Sequence, residues 1–162
     1  MRARVWRIRT EQVDPPAEAL PAPALPGTRD GSGRTVGGGF VRAMEWRPVS
    51  GGFDSTGPAL VWARPRMPLV AGEEMSGVQR LMLLADCGNG LSRVLDFATH
   101  VFINTDLTVH LHREPVGEWL CTDAATTVGP GGVGLAESRL FDADGAVGRG
   151  AQALLIGARP GR

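Results

Sequence analysis

Between residues 101 and 156 the chain offers four strand candidates in succession and no helical segment to part them. They cover residues 101–112, 118–128, 133–142 and 146–156. The junctions are turn chemistry: Glu114-Pro115-Val116-Gly117, Gly129-Pro130-Gly131-Gly132 and Asp142-Ala143-Asp144-Gly145. The Asp-Gly pair in the last is a hairpin signal. Turns this short join antiparallel neighbours, so the four strands predict one continuous sheet. A sheet buries one face against something, and one earlier segment suits that task. Glu73 and Glu74 fit a helix start, and Met75, Val78, Leu81, Met82 and Ala85 recur at three- and four-residue steps. Gly88 and the pair Asn89-Gly90 end or break this helix, and LSRVLDF reads as a short amphipathic continuation. Two further strands precede it, at residues 40–49 and 59–64, the second closed by Pro65. The order β-β-α-β-β-β-β predicts an α+β fold, an antiparallel sheet wrapped around one central helix.

Residues 1–10, MRARVWRIRT, alternate like a strand with no partner of its own. Residues 11–39 are rich in Pro, Gly and Ala without periodicity, which predicts a linker and sets the globular domain at residues 40–158. The 17 basic and 17 acidic residues balance, so electrostatic capture of nucleic acid or of an anionic membrane is not expected. Cys87 and Cys121 stand in unrelated contexts with no zinc spacing. No apolar run reaches membrane-spanning length, and no signal-peptide core opens the chain. The expectation is a soluble cytoplasmic protein that needs no metal or cofactor.

Certain polar residues resist a purely structural explanation. In FINTDLTVHLHR (residues 102–113), alternation puts Ile103, Thr105, Leu107, Val109 and Leu111 on one face, and Asn104, Asp106, Thr108, His110 and His112 on the other. The first set predicts the core face. Asp86 ends the helix in LLADCGNG, at the negative pole of the helix dipole, where a carboxylate is unfavourable. Gln152 lies in line with Leu154 and Ile156 on a face that should be apolar. Each alone is explained by a satisfied polar group or a solvated edge. Together, a helix end and two strands lying over it could meet in one small polar pocket. His110 and His112 form an HxH pair without an evident third ligand, which makes a metal site the lesser reading.

The motifs LLADCGNG, FINTDLTVHLHR, GEWLCTDA and SRLFDADGAVGRGAQALLI, with AMEWRPVSGG and VWARPRMPL more weakly, are similar to the C-terminal half of the type II acyl-CoA thioesterases. These belong to the double-hotdog thioesterase-like superfamily, and the resemblance spans residues 40–158. It implies the hotdog fold, and it makes RARVWRIRT look like the last strand of a preceding repeat. It also implies a site in which an Asp on the central helix, a hydroxyl residue on the next strand and a Gln on the last strand position a water. Those places fall on Asp86, Asn104 and Gln152.

Asn104 departs from the pattern, because an amide can hold a water but cannot relay its proton. In this reading Asp86 is the general base, Asn104 and Gln152 orient the water, and a backbone N–H at Cys87–Gly88 meets the oxyanion. Cys87 itself is more simply a packing residue. Asp106 lies beside the site on the same strand, and Arg113 could meet a CoA phosphate or stand in solvent. The implied substrate is an acyl-CoA, with CoA present only as part of it, and a homodimer would cover the bare sheet edge. A degenerate module that binds acyl-CoA or serves as a dimerisation half is the alternative. Hydration of an enoyl-CoA ranks last, because no His occurs between Glu74 and Asp96.

Overall fold

The computed structural model describes residues 3–6, 8–14, 20–27 and 38–159. The α2 helix (Gly77–Ala85) begins later than the acidic pair suggests, because Ser76 and Gln79 form a capping box. The Ser76 Oγ accepts the Gln79 N–H at 3.2 Å, and Gln79 Oε1 accepts the Ser76 N–H at 2.8 Å. Leu81, Leu84 and Ala85 form its buried face, whereas Val78 and Met82 turn outward. The stripe is thus narrower than the one expected and rotated from it. At the first turn a Cβ on Gly77 would lie 1.9 Å from the Pro115 carbonyl oxygen, so only glycine allows that approach.

Around α2 curls a seven-stranded antiparallel sheet: β1 (Met44–Ser50), β2 (Ala59–Pro65), β3 (His100–Asn104), β4 (Thr108–Leu111), β5 (Leu120–Val128), β6 (Val133–Asp142) and β7 (Gly145–Ala158). Its order is β1-β2-β5-β6-β7-β3, with β4 also paired to β7. Two short helical pieces complete it, α1 (Gly39–Ala43) and α3 (Gly88–Leu91). This is the hotdog arrangement. The core inside the curl joins Met44, Val61, Leu81, Leu84, Leu91, Leu120, Leu140 and Val147.

Several local expectations need correcting. Residues 40–43 belong to α1, and the strand starts only at Met44. Helix does not continue through LSRVLDF; after α3 the chain turns, with the Asp96 carbonyl oxygen accepting the Thr99 and His100 N–H groups. The described part of residues 1–10 forms no strand and is exposed. Within the stretch read as a linker, residues 20–27 lie against the outer face of the sheet. Ala22 packs on Trp62, Cys121 and Phe141. The Leu20 carbonyl accepts the Ala146 N–H at 2.9 Å, and that of Pro26 accepts Arg47 Nη1 at 3.1 Å.

The long strand expected at residues 101–112 is two strands with a kink between them. Asn104 pairs with Leu154 and Thr108 with Ala151, so three residues on one side face two on the other. One extra residue makes a bulge and reverses which face each later side chain takes. Before the kink Phe102 points inward and Ile103 is 56% exposed; after it Leu107, Val109 and Leu111 pack on the core. The expected core position of Ile103 is therefore wrong, and Asn104 faces inward while His110 faces outward. Asp106 bridges the gap: its Oδ1 accepts the Ala153 N–H at 2.8 Å, while the Thr105 N–H reaches the Ala153 carbonyl at 2.8 Å. No helix among the described residues is long and apolar enough to cross a membrane.

Candidate active site

The site forms where α2 stops. Asp86 is the C-cap of α2, Cys87 turns the chain, and α3 starts at Gly88. Over this corner lie β3 and β7. The inward side chain of Asn104 donates from Nδ2 to Asp86 Oδ1 at 2.8 Å. Because Asp86 is exposed, its second carboxylate oxygen remains open to a water or substrate.

Gln152 acts on the backbone of the same corner. Its Nε2 donates to the Asp86 carbonyl oxygen at 3.1 Å, and its Oε1 accepts the Asn89 N–H at 3.0 Å. One carboxamide thus ties the end of α2 to the start of α3, and at 2% exposure it is shielded from exchange with water. A Cβ on Gly88 would lie 2.8 Å from Ser138 Oγ and 2.9 Å from Gln152 Oε1, which explains glycine there. The Gly88 N–H has no acceptor among the described residues.

Asp86, Asn104, Gln152 and Gly88 are therefore brought together. Cys87 lies among them, but its Sγ donates to the Leu83 carbonyl at 3.2 Å. Burial, and then the neighbouring Asp86 charge, push the thiol up to about 12, so it is not a thiolate at neutral pH. Packing is its role. Asp106 bridges the kink through its Oδ1 and makes no contact with Asp86 among the described residues. Arg113 serves structure as well: its guanidinium grips Asp142 through two hydrogen bonds of 2.5 Å and also donates to the Ala146 and Gly145 carbonyls.

Sequence reasoning missed three groups. Ser138 is a buried hydroxyl beside Gly88, and alternation with Ala136 and Leu140 was its signal. Asn89 matters through its backbone, which no side-chain pattern reveals. Ser92 hydrogen-bonds the Gly88 carbonyl at 2.8 Å and Thr126 Oγ1 at 2.7 Å, anchoring α3 to β5. A depression of about 390 Å³ lies apart from this chemistry, on the outer face among His110, Asp123, Glu137, Arg139 and Arg149. No group of three or more metal-ligating side chains exists among the described residues.

A curled antiparallel sheet around one helix, with the helix-end carboxylate held by Asn104 of β3, defines a thioesterase-like hotdog protein. The chain belongs to the acyl-CoA thioesterase C-terminal domain family, which it matches over residues 16–156. In structure it is similar to an acyl-CoA thioesterase II of Mycobacterium marinum: TM-score 0.64, 19% identity, 94% of this chain covered and 61% of that one. A TesB protein of Mycobacterium avium subsp. paratuberculosis gives TM-score 0.59 and 15% identity over 90% of this chain and 56% of that one. A conserved protein of Pseudomonas aeruginosa gives 0.55 and 17% over 77% and 98%. The chain thus spans about 61% and 56% of the two mycobacterial proteins. No curated protein matches it significantly.

Proposed function

We propose that the protein hydrolyses an acyl-CoA thioester to CoA and a free acid. The observation that carries this reading is the half-open Asp86 carboxylate, fixed by Asn104 beside the unused Gly88 N–H. A water between Asp86 and the thioester carbonyl gives a proton to the carboxylate as its oxygen attacks the carbon. The carbonyl oxygen becomes an oxyanion and takes the hydrogen bond from Gly88. When the tetrahedral intermediate collapses, the C–S bond breaks and the sulfur leaves with the proton held by Asp86. Asn104 orients the base and Gln152 holds the corner, so no covalent nucleophile is needed.

A second reading rests on Asn104 itself. An amide stands where the related site carries a hydroxyl, and its Nδ2 donates to the Asp86 carboxylate. In that case the protein binds acyl-CoA without turning it over. Both readings include a homodimer that joins sheets edge to edge, since β3 and β4 form one edge of the sheet and the site opens beside it. The deciding experiment is CoA release from short-, medium- and long-chain acyl-CoA by the protein and by Asp86→Asn, with light scattering for the dimer. Turnover abolished by the substitution supports hydrolysis; no turnover from a folded dimer leaves binding alone.

A further inference from the structure

Beyond α3 a second pocket, of about 240 Å³, lies between the β1–β2 loop and the segment leading to β3. Phe53, Asp54, Arg93, Asp96 and Phe97 line it. It is built, not incidental. The Gly57 N–H donates to the Arg93 carbonyl at 2.7 Å and ties the loop to the opposite wall. Phe53 meets Trp46 edge-on at 5.0 Å, and its ring would be 3.4 Å from a Cβ on Gly90. On the other wall Phe102 and Phe97 stack at 4.5 Å, and the Arg93 guanidinium caps the stack 5.4 Å from the Phe97 centroid.

Arg93 is poorly satisfied where it stands. Its only hydrogen bond among the described residues is a long one, 3.4 Å from Nη1 to the Leu95 carbonyl, and its Nε is buried without a partner. Five donors in a planar fork call for an acceptor such as phosphate, and the plane itself stacks on heteroaromatic rings. Neither Asp54 nor Asp96 lies within ion-pair distance of it. The Asp54 carboxylate makes no hydrogen bond among the described residues, and that of Asp96 accepts only the Ala98 N–H, at 2.8 Å. Both can accept from hydroxyl or amine groups.

We propose that this pocket binds the nucleotide end of the CoA substrate. The adenine ring stacks on the Phe102–Phe97–Arg93 column, the phosphates take the free guanidinium donors, and Asp54 and Asp96 accept from the ribose or the adenine amine. The inference rests on the acyl-CoA reading above and adds to it the group that selects CoA over a simpler thioester. Position agrees. The α3 helix (Gly88–Leu91) leads away from the Asp86 corner, and Arg93 follows two residues beyond its end. The pantetheine arm would run from the Asp86 corner past Gly90.

Two measurements test it. The first is titration of the full chain with 3′,5′-ADP, which carries the nucleotide without thioester or pantetheine. The second compares KM for one acyl group carried on CoA and on pantetheine, in the protein and in Arg93→Gln and Asp54→Ala. Saturable 3′,5′-ADP binding, weakened about tenfold in both variants, is expected. So is a tenfold rise in KM for the CoA substrate, with kcat and the pantetheine substrate unchanged. No binding of 3′,5′-ADP, or equal loss on both substrates, overturns the proposal. If no thioester is turned over, the hydrolase reading fails and the titration alone still decides the pocket. Asp54 bears no structural hydrogen bond, so its variant remains informative if Arg93→Gln does not fold.

Discussion

Asp86 at the end of α2 and Asp142 at the end of β6 are both held by hydrogen bonds, yet the fold treats them in opposite ways. Asp142 is 0% exposed, and its two oxygens accept from Arg113 twice and from the Val116 and Asp144 N–H groups. Asp86 is exposed and among the described residues accepts a single hydrogen bond, from the Asn104 amide. Burial alone would raise the Asp142 carboxyl, but the Arg113 guanidinium and the two N–H donors outweigh it and hold the pKa below the ordinary value. A carboxylate with every lone pair engaged is a clamp. One with an oxygen left open can take a proton from water. Number of donors, not the residue type, separates the clamped aspartate from the open one.

The contrast breaks most visibly at Asp86. Asp86→Asn should lower kcat for acyl-CoA by roughly 10²–10⁴-fold while thermal unfolding stays nearly unchanged. A variant that kept its rate would remove Asp86 as the base. Asp142→Ala should do the reverse, costing about 2–3 kcal/mol in urea unfolding because Arg113 is left unpaired. The rate per folded molecule should persist. Asn104→Ala comes next, with a rate loss of about tenfold from releasing a hydrogen bond to a charged group. Asn104→Thr sharpens the question of the missing hydroxyl, since a gain in rate would mean that the amide limits turnover.

Acidification offers a gentler probe. The lowered folded pKa of Asp142 means that its contribution is complete above the unfolded carboxylate pKa and fades as pH falls through the folded value. Stability should therefore drop more below about pH 4 in the native protein than in Asp142→Asn. Equal pH profiles would contradict the clamp. The smallest effect is expected at Cys87, whose thiol is held up to about 12 by burial and then by Asp86. Cys87→Ala should keep turnover within about twofold, and alkylation near neutral pH should be slow.

Much of this comparison was legible in the sequence. Asp86 stood out because a carboxylate at a helix C-terminus opposes the dipole, and Gln152 because it interrupts an apolar face. The β6 strand runs over the residues expected from alternation, and the turns before β6 and β7 stand where Gly, Pro and Asp-Gly place them. The Ser76–Gln79 capping box was equally visible, and it sets the helix start later than the acidic pair suggests. Arg113 was the opposite case. Its neighbours in sequence suggest a solvent-facing or phosphate-binding group, and its partner Asp142 lies 29 residues away.

Strand alternation, turn chemistry and helix periodicity are properties of neighbouring residues, so the sequence alone determined the central helix, the strands before and after it and the sheet wrapped around it. It determined too which residue types crowd the corner at Asp86. The tertiary structure decided which way they face. Only pairing with β7 reveals the extra residue at positions 105–107, and that bulge turns Asn104 toward Asp86 and Ile103 toward solvent. Only the closed sheet brings Gln152 to the Asp86 carbonyl and Arg113 to Asp142. Those contacts join residues far apart in the chain, and a one-residue change of register reverses every side chain beyond it.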